Sequence, residues 1–163
     1  MTAEITPGRM ESVESQSWTD YLLAGSRVLG TPALRAGGGV ALEVPGDPSG
    51  ALNRIMGIGW DEPVSAGLLE RITGFYHEAG APSAILMIAR PPVLPPDWAD
   101  LSRRFGIAGT GSAVVKLSGE ARAVAGQSKA AAEKPGQRNP SLHNQVRAGL
   151  TARYQRENWI WRA

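Results

Sequence analysis

The chain has 163 residues, no cysteine and two histidines, His77 and His143, far apart in sequence. That length suits one domain with a real core, and the missing thiols exclude disulfides, zinc–thiolate sites, iron–sulfur clusters and cysteine nucleophiles. The net charge of +2 hides an asymmetry: residues 1–117 carry nine basic and twelve acidic side chains, residues 118–163 eight basic and three acidic.

Residues 1–17 are polar, show no apolar period and read as a flexible N-terminus. From Trp18 to Leu29 the residues Trp18, Tyr21, Leu22, Val28 and Leu29 recur near helical spacing, with Ser17 or Thr19 as cap and Gly30 as stop. Thr31–Gly39 reads as a loop. Val40–Val44 alternates as a half-buried strand, Val40, Leu42 and Val44 facing in and Ala41 and Glu43 facing out. Past the turn cluster Pro45–Pro48, Ala51–Ile58 reads as the second strand of an antiparallel hairpin.

Asp61-Glu62-Pro63 signals a helix start, with Ser65 as the other candidate cap. Leu68, Leu69, Ile72, Phe75 and Tyr76 then form one apolar stripe that Gly80 ends. Ala84–Ala89 is a continuous apolar run, as expected of a central strand buried on both faces. Pro96–Phe105 reads as a short helix and Gly111–Leu117 as a strand. The domain proper is thus 18–118, followed by a linker over 119–140 and a basic amphipathic tail over 141–163. In that tail Leu142, Val146, Leu150 and Tyr154 recur at helical steps. The fold class is α+β: a mostly antiparallel sheet flanked by helices, with a basic C-terminal tail.

Several chemical motifs fail on inspection. The carboxylate sets Asp61/Glu62 and Asp97/Asp100 both fall at helix starts, where negative charge is favoured without any catalytic role. His77-Glu78 lacks the second histidine of a zinc-protease motif, since position 81 is Ala, and no metal site is expected. Arg103–Ala108 matches the pattern Arg-x-x-Gly-x-Ala of coenzyme A loops, but a helix precedes it where a strand should. The basic tail with Trp159 and Trp161 is not expected to bind nucleic acid, because Arg interleaved with Trp in a short segment is weak evidence. The longest apolar run is far short of the roughly 20 residues that span a bilayer. No membrane partner is expected, and a cytoplasmic location is.

Ala51-Leu52-Asn53-Arg54-Ile55-Met56-Gly57-Ile58-Gly59, then Glu62-Pro63, the helix ending Phe75-Tyr76-His77-Glu78-Ala79-Gly80, a strand, a short helix to Arg104-Phe105-Gly106 and a strand to Lys116-Leu117 carry a family resemblance. In order and spacing, residues 51–117 resemble the amino-terminal, degenerate half of tandem bacterial GNAT-family N-acetyltransferases. The resemblance implies a sheet that binds acetyl-CoA between two splayed central strands, with the pyrophosphate on amides at the start of the next helix. An amine attacks the thioester directly in that family. Carried onto this chain, the cofactor loop is Gly59–Gly67, so Gly59, Trp60, Asp61 and Glu62 are the cofactor-binding candidates by position, and no catalytic residue is assigned. The loop places two carboxylates where a diphosphate would sit, and Pro63 removes an amide donor. The 46 residues after Leu117 are too few for a second GNAT half. The resemblance therefore implies a degenerate or partial copy, weakly active or inactive as an acetyltransferase. The alternative is a non-enzymatic dimerisation or substrate-recognition module. Its expected partners are a second copy or a catalytic GNAT half.

Overall fold

The structure, a computed structural model, describes residues 6–89, 93–118, 126–129, 140–147 and 149–163. In chain order the elements are α1 (Pro7–Leu29), β1 (Ala33–Ala36), β2 (Gly39–Leu42), β3 (Arg54–Met56), α2 (Ala66–Glu78), β4 (Ser83–Ala89), α3 (Trp98–Arg104), β5 (Ile107–Ser118), β6 (Gly126–Lys129), α4 (Pro140–Arg147) and β7 (Thr151–Arg162). The strands form one sheet in the order β1-β2-β3-β4-β7-β5-β6. Every neighbouring pair is antiparallel except β3–β4. The α+β class with a mostly antiparallel sheet, expected from the sequence, is the observed one.

Helix α2 starts where Ser65, in extended conformation, accepts a hydrogen bond from the Leu68 amide at 3.3 Å. Ser65 is thus the cap, and Asp61-Glu62-Pro63 lies upstream of the helix. Its apolar stripe, Leu68, Leu69, Ile72 and Tyr76, is fully buried against Ile55, Leu86, Ile88 and Trp161 of the sheet. The crossover through α2 is long enough to bring β4 back parallel to β3 as its neighbour. The Tyr76 hydroxyl lies 3.0 Å from the carbonyls of Leu42 and Arg54, pinning α2 to the hairpin. Burial raises the pKa of this phenol, which holds it protonated as a donor.

The hairpin forms as expected but is shorter, with Val40 opposite Met56 and Leu42 opposite Arg54. At Gly39 a Cβ would meet the Met56 carbonyl oxygen at 2.1 Å, so only glycine permits this approach of β2 to β3. Beyond the paired residues Asn53 acts as a clamp. Its Oδ1 accepts from the Val44 amide and its Nδ2 donates to the Ser83 carbonyl, both at 2.9 Å. Strand β2 is buried on both faces, so the inward–outward split expected over Val40–Val44 is corrected: α2 packs on the Ala41 side and α1 over Val40 and Leu42. Within the predicted loop Thr31–Gly39, residues Ala33–Ala36 form edge strand β1 against β2.

Two further segments differ from the sequence reading. Residues 7–17, expected as part of a flexible N-terminus, belong to α1, whose first turn Thr6 caps by accepting from the Arg9 amide. Ser17 and Thr19 are therefore interior residues rather than caps. The segment expected as an amphipathic tail divides into α4, which ends before Gly149 (φ +89°), and strand β7. Strand β7 lies between β4 and β5, seven of its residues facing β4 from Arg156 to Arg162. Of the expected linker 119–140, only β6 and Pro140 lie within the described residues.

Candidate functional site

The family resemblance points to the place where β3 and β4 part. Their parallel register covers Arg54–Ile85, Ile55–Leu86 and Met56–Met87, after which β4 continues to Ala89 and β3 turns away at Gly57. The four candidate residues follow this divergence, and each is engaged by a different part of the molecule. Gly59 has φ +91°, and its amide donates to the Gly37 carbonyl at 2.8 Å. A Cβ at Gly59 would lie 2.0 Å from Val93 Cγ1 and 3.0 Å from Val64 Cγ2, so the backbone is in contact with the segment that follows β4.

Trp60 packs on Gly8 of α1, where a Cβ would come within 3.1 Å of the indole ring, and its buried Nε1 has no hydrogen-bond partner among the described residues. Asp61 is exposed and stands over Gly38, where a Cβ would come within 2.8 Å of the Asp61 carboxyl carbon. Glu62 takes both guanidinium nitrogens of Arg71, at 3.0 and 3.4 Å, bridging the loop to the second turn of α2. The four residues thus lie together along the loop but do not converge on a common point. Their side chains contact α1, the β1–β2 turn and α2 in turn.

The remaining sequence candidates are dispersed. The His77 ring is edge-on to Trp161 at 4.9 Å between centroids, at the C-terminal end of α2. Asp97 makes no side-chain cap bond, and Asp100 pairs with Arg103 on the exposed face of α3. Arg103–Ala108 runs from α3 into β5, so no helix follows it. The side chain of His143 lies outside the described residues. Trp161 is 2% exposed in the core, and the partly buried Trp159 stands edge-on to Trp98 at 5.1 Å between ring centroids.

One constellation lay beyond the sequence reading. On the sheet face covered by α1, Arg156 of β7 is fully buried and its Nη1 contacts Glu11 at 3.1 Å and Glu14 at 2.6 Å. Lys116 of β5 pairs with Glu14, and the Tyr154 hydroxyl donates to Glu11 at 2.6 Å. Burial alone would weaken the charged form of Arg156, but Glu11 and Glu14 outweigh it and raise its pKa. Burial lowers the Lys116 pKa, aided by the like charge of Arg156 and opposed by Glu14. Among the described residues two carboxylates and two cations meet here, and the network fastens α1 to the sheet. The available signal was the spacing of Glu11, Ser15 and Thr19, all buried at helical steps of four. Because this stripe is polar, apolar periodicity does not detect it.

No family model, curated protein or solved structure matches the chain. Among the described residues no helix is long and apolar enough to cross a membrane, and no group of three or more His, Cys, Asp or Glu could hold a metal ion.

Proposed function

We propose that this chain is a GNAT-like scaffold whose cofactor position is closed, and that it serves as a recognition or pairing module beside a second copy or a catalytic GNAT half. The parallel β3–β4 pair, joined by α2 and diverging after Met56, supports the likeness to the acetyltransferase family. One observation carries the non-catalytic part: Gly59 at the divergence lies against Val93 with no room for a methyl group. A pantetheine arm entering between the two strands would have to displace that contact. The residues of the loop do not fit a diphosphate either, since Asp61 and Glu62 bring negative charge and Pro63 offers no N–H. A cytoplasmic location goes with this reading, as expected of a protein that works beside an acetyl-CoA enzyme.

Calorimetric titration with acetyl-CoA tests the proposal. The expected result is no binding heat at millimolar cofactor. Micromolar binding that disappears when residues 60–67 are altered would show a working cofactor site and overturn it.

A further inference from the structure

A pocket of about 460 Å³ opens at the end of the sheet away from the Gly59 loop, between the turn after β2 and the C-terminus of α2. Its walls include Pro45, Pro48, Ala79, Gly80 and Pro82, and Glu43 also lines it. Glu43 is 6% exposed, and among the described residues its carboxylate has no hydrogen bond or ion pair. Its carboxylate oxygens stay open to the solvent in the pocket, where a cation can reach them. Burial pushes the Glu43 carboxyl above the usual carboxylate range.

The surroundings favour positive charge. Helix α2 closes here with Ala79, Gly80 and Ala81 amides bonded back to Phe75, His77 and Tyr76 carbonyls, so the negative end of its dipole faces this region. Asp47, on the rim, is held in its charged form by hydrogen bonds from Ser49 and the Leu52 amide. A hard metal cation is a poor match. Calcium needs about six to eight oxygen ligands, and proline and alanine walls supply none from their side chains. An organic cation fits better, because its charged head needs one carboxylate and its alkyl body needs apolar walls.

We infer that the Glu43 pocket is a binding site for a primary alkylammonium group. The inference is independent of the acetyltransferase reading, since the pocket shares no residue with the Gly59 loop. The ammonium would donate hydrogen bonds to the Glu43 carboxylate, with its carbon chain lying against the prolines.

The test is a titration of the full ¹⁵N-labelled chain with n-butylammonium, followed by amide chemical shifts. Saturable shifts confined to Val44, Gly46, Gly80 and Ala81 are expected, with a Kd on the order of a millimolar for a ligand of five heavy atoms. Glu43→Gln keeps the shape and removes the charge, and should weaken binding roughly thirtyfold or more. Glu70→Gln, an exposed change elsewhere on α2, should leave it unchanged. The wild-type shift map locates the site even if a variant folds poorly. Absence of saturable shifts, shifts spread over other acidic surface, or equal binding by Glu43→Gln would overturn the inference. So would equal shifts with 1-butanol, which would make the pocket merely apolar, or binding of Mg²⁺ in preference to the amine.

Discussion

Arg156 Nη1 donates to Glu11 Oε2 at 3.1 Å although the two residues stand 145 positions apart. This contact joins the first helix to an inner strand through charge rather than apolar area. Breaking a buried pair by removing one partner leaves the other charge uncompensated.

Arg156→Met should therefore destabilise the fold by about 3–5 kcal/mol, read as a lower urea midpoint at pH 7. Pairing it with Glu11→Gln should recover part of the loss, since Gln can still accept from Tyr154. An unchanged midpoint for the single variant would show that α1 is not held by this network.

Acid should loosen the same interface. Burial works against the Glu14 carboxylate, but Arg156 and Lys116 outweigh burial and hold its pKa below the ordinary 4.5. A depressed folded value means that its stabilisation is complete above that ordinary value and is lost as pH falls through the lower one. Urea midpoints measured from pH 7 down to pH 2 should drop in that window. Glu14→Gln should be less stable than the wild type at pH 7 and should show a shallower decline in acid.

Glu43 should behave in the opposite sense. Its folded pKa is raised by burial, so the stability linked to this group is present below the ordinary value and lost as pH rises through the folded one. Without added amine, Glu43→Gln should thus be more stable than the wild type at pH 7. The difference should shrink toward pH 4, and thermal melts at several pH values check it.

Gly59→Ala should cost about 2–4 kcal/mol, combining a left-handed backbone with overpacking. The φ of +91° penalises any side chain, and the new methyl would overlap Val93. Adding Val93→Ala should return only the steric share. Full recovery in the double variant would mean that backbone conformation contributes nothing at this position.

The elements legible in the sequence are those whose buried face is apolar. Leu68, Leu69, Ile72 and Tyr76 announce α2, and the run Ala84–Ala89 announces β4, because burial there follows hydrophobicity. The sequence pattern of α1 begins eleven residues late, at Trp18, since its sheet-facing stripe is Glu11, Ser15 and Thr19. Strand β7 was hidden for the complementary reason. Arg156 is its most buried side chain, and a basic composition reads as a surface. Glu43 was assigned outward because alternation cannot show that helices cover both faces of β2. Of the candidate loop, the sequence supplied its position and its unfavourable charge. The contact with Val93 is a long-range one that no local pattern encodes.

The placement of β7 also sets an order of events. Ribosomal synthesis delivers β4 and β5 long before the strand that separates them, so until Arg162 emerges both present unpaired backbone edges to the solvent. Closure of the sheet depends on pairings of high sequence separation, which form slowly.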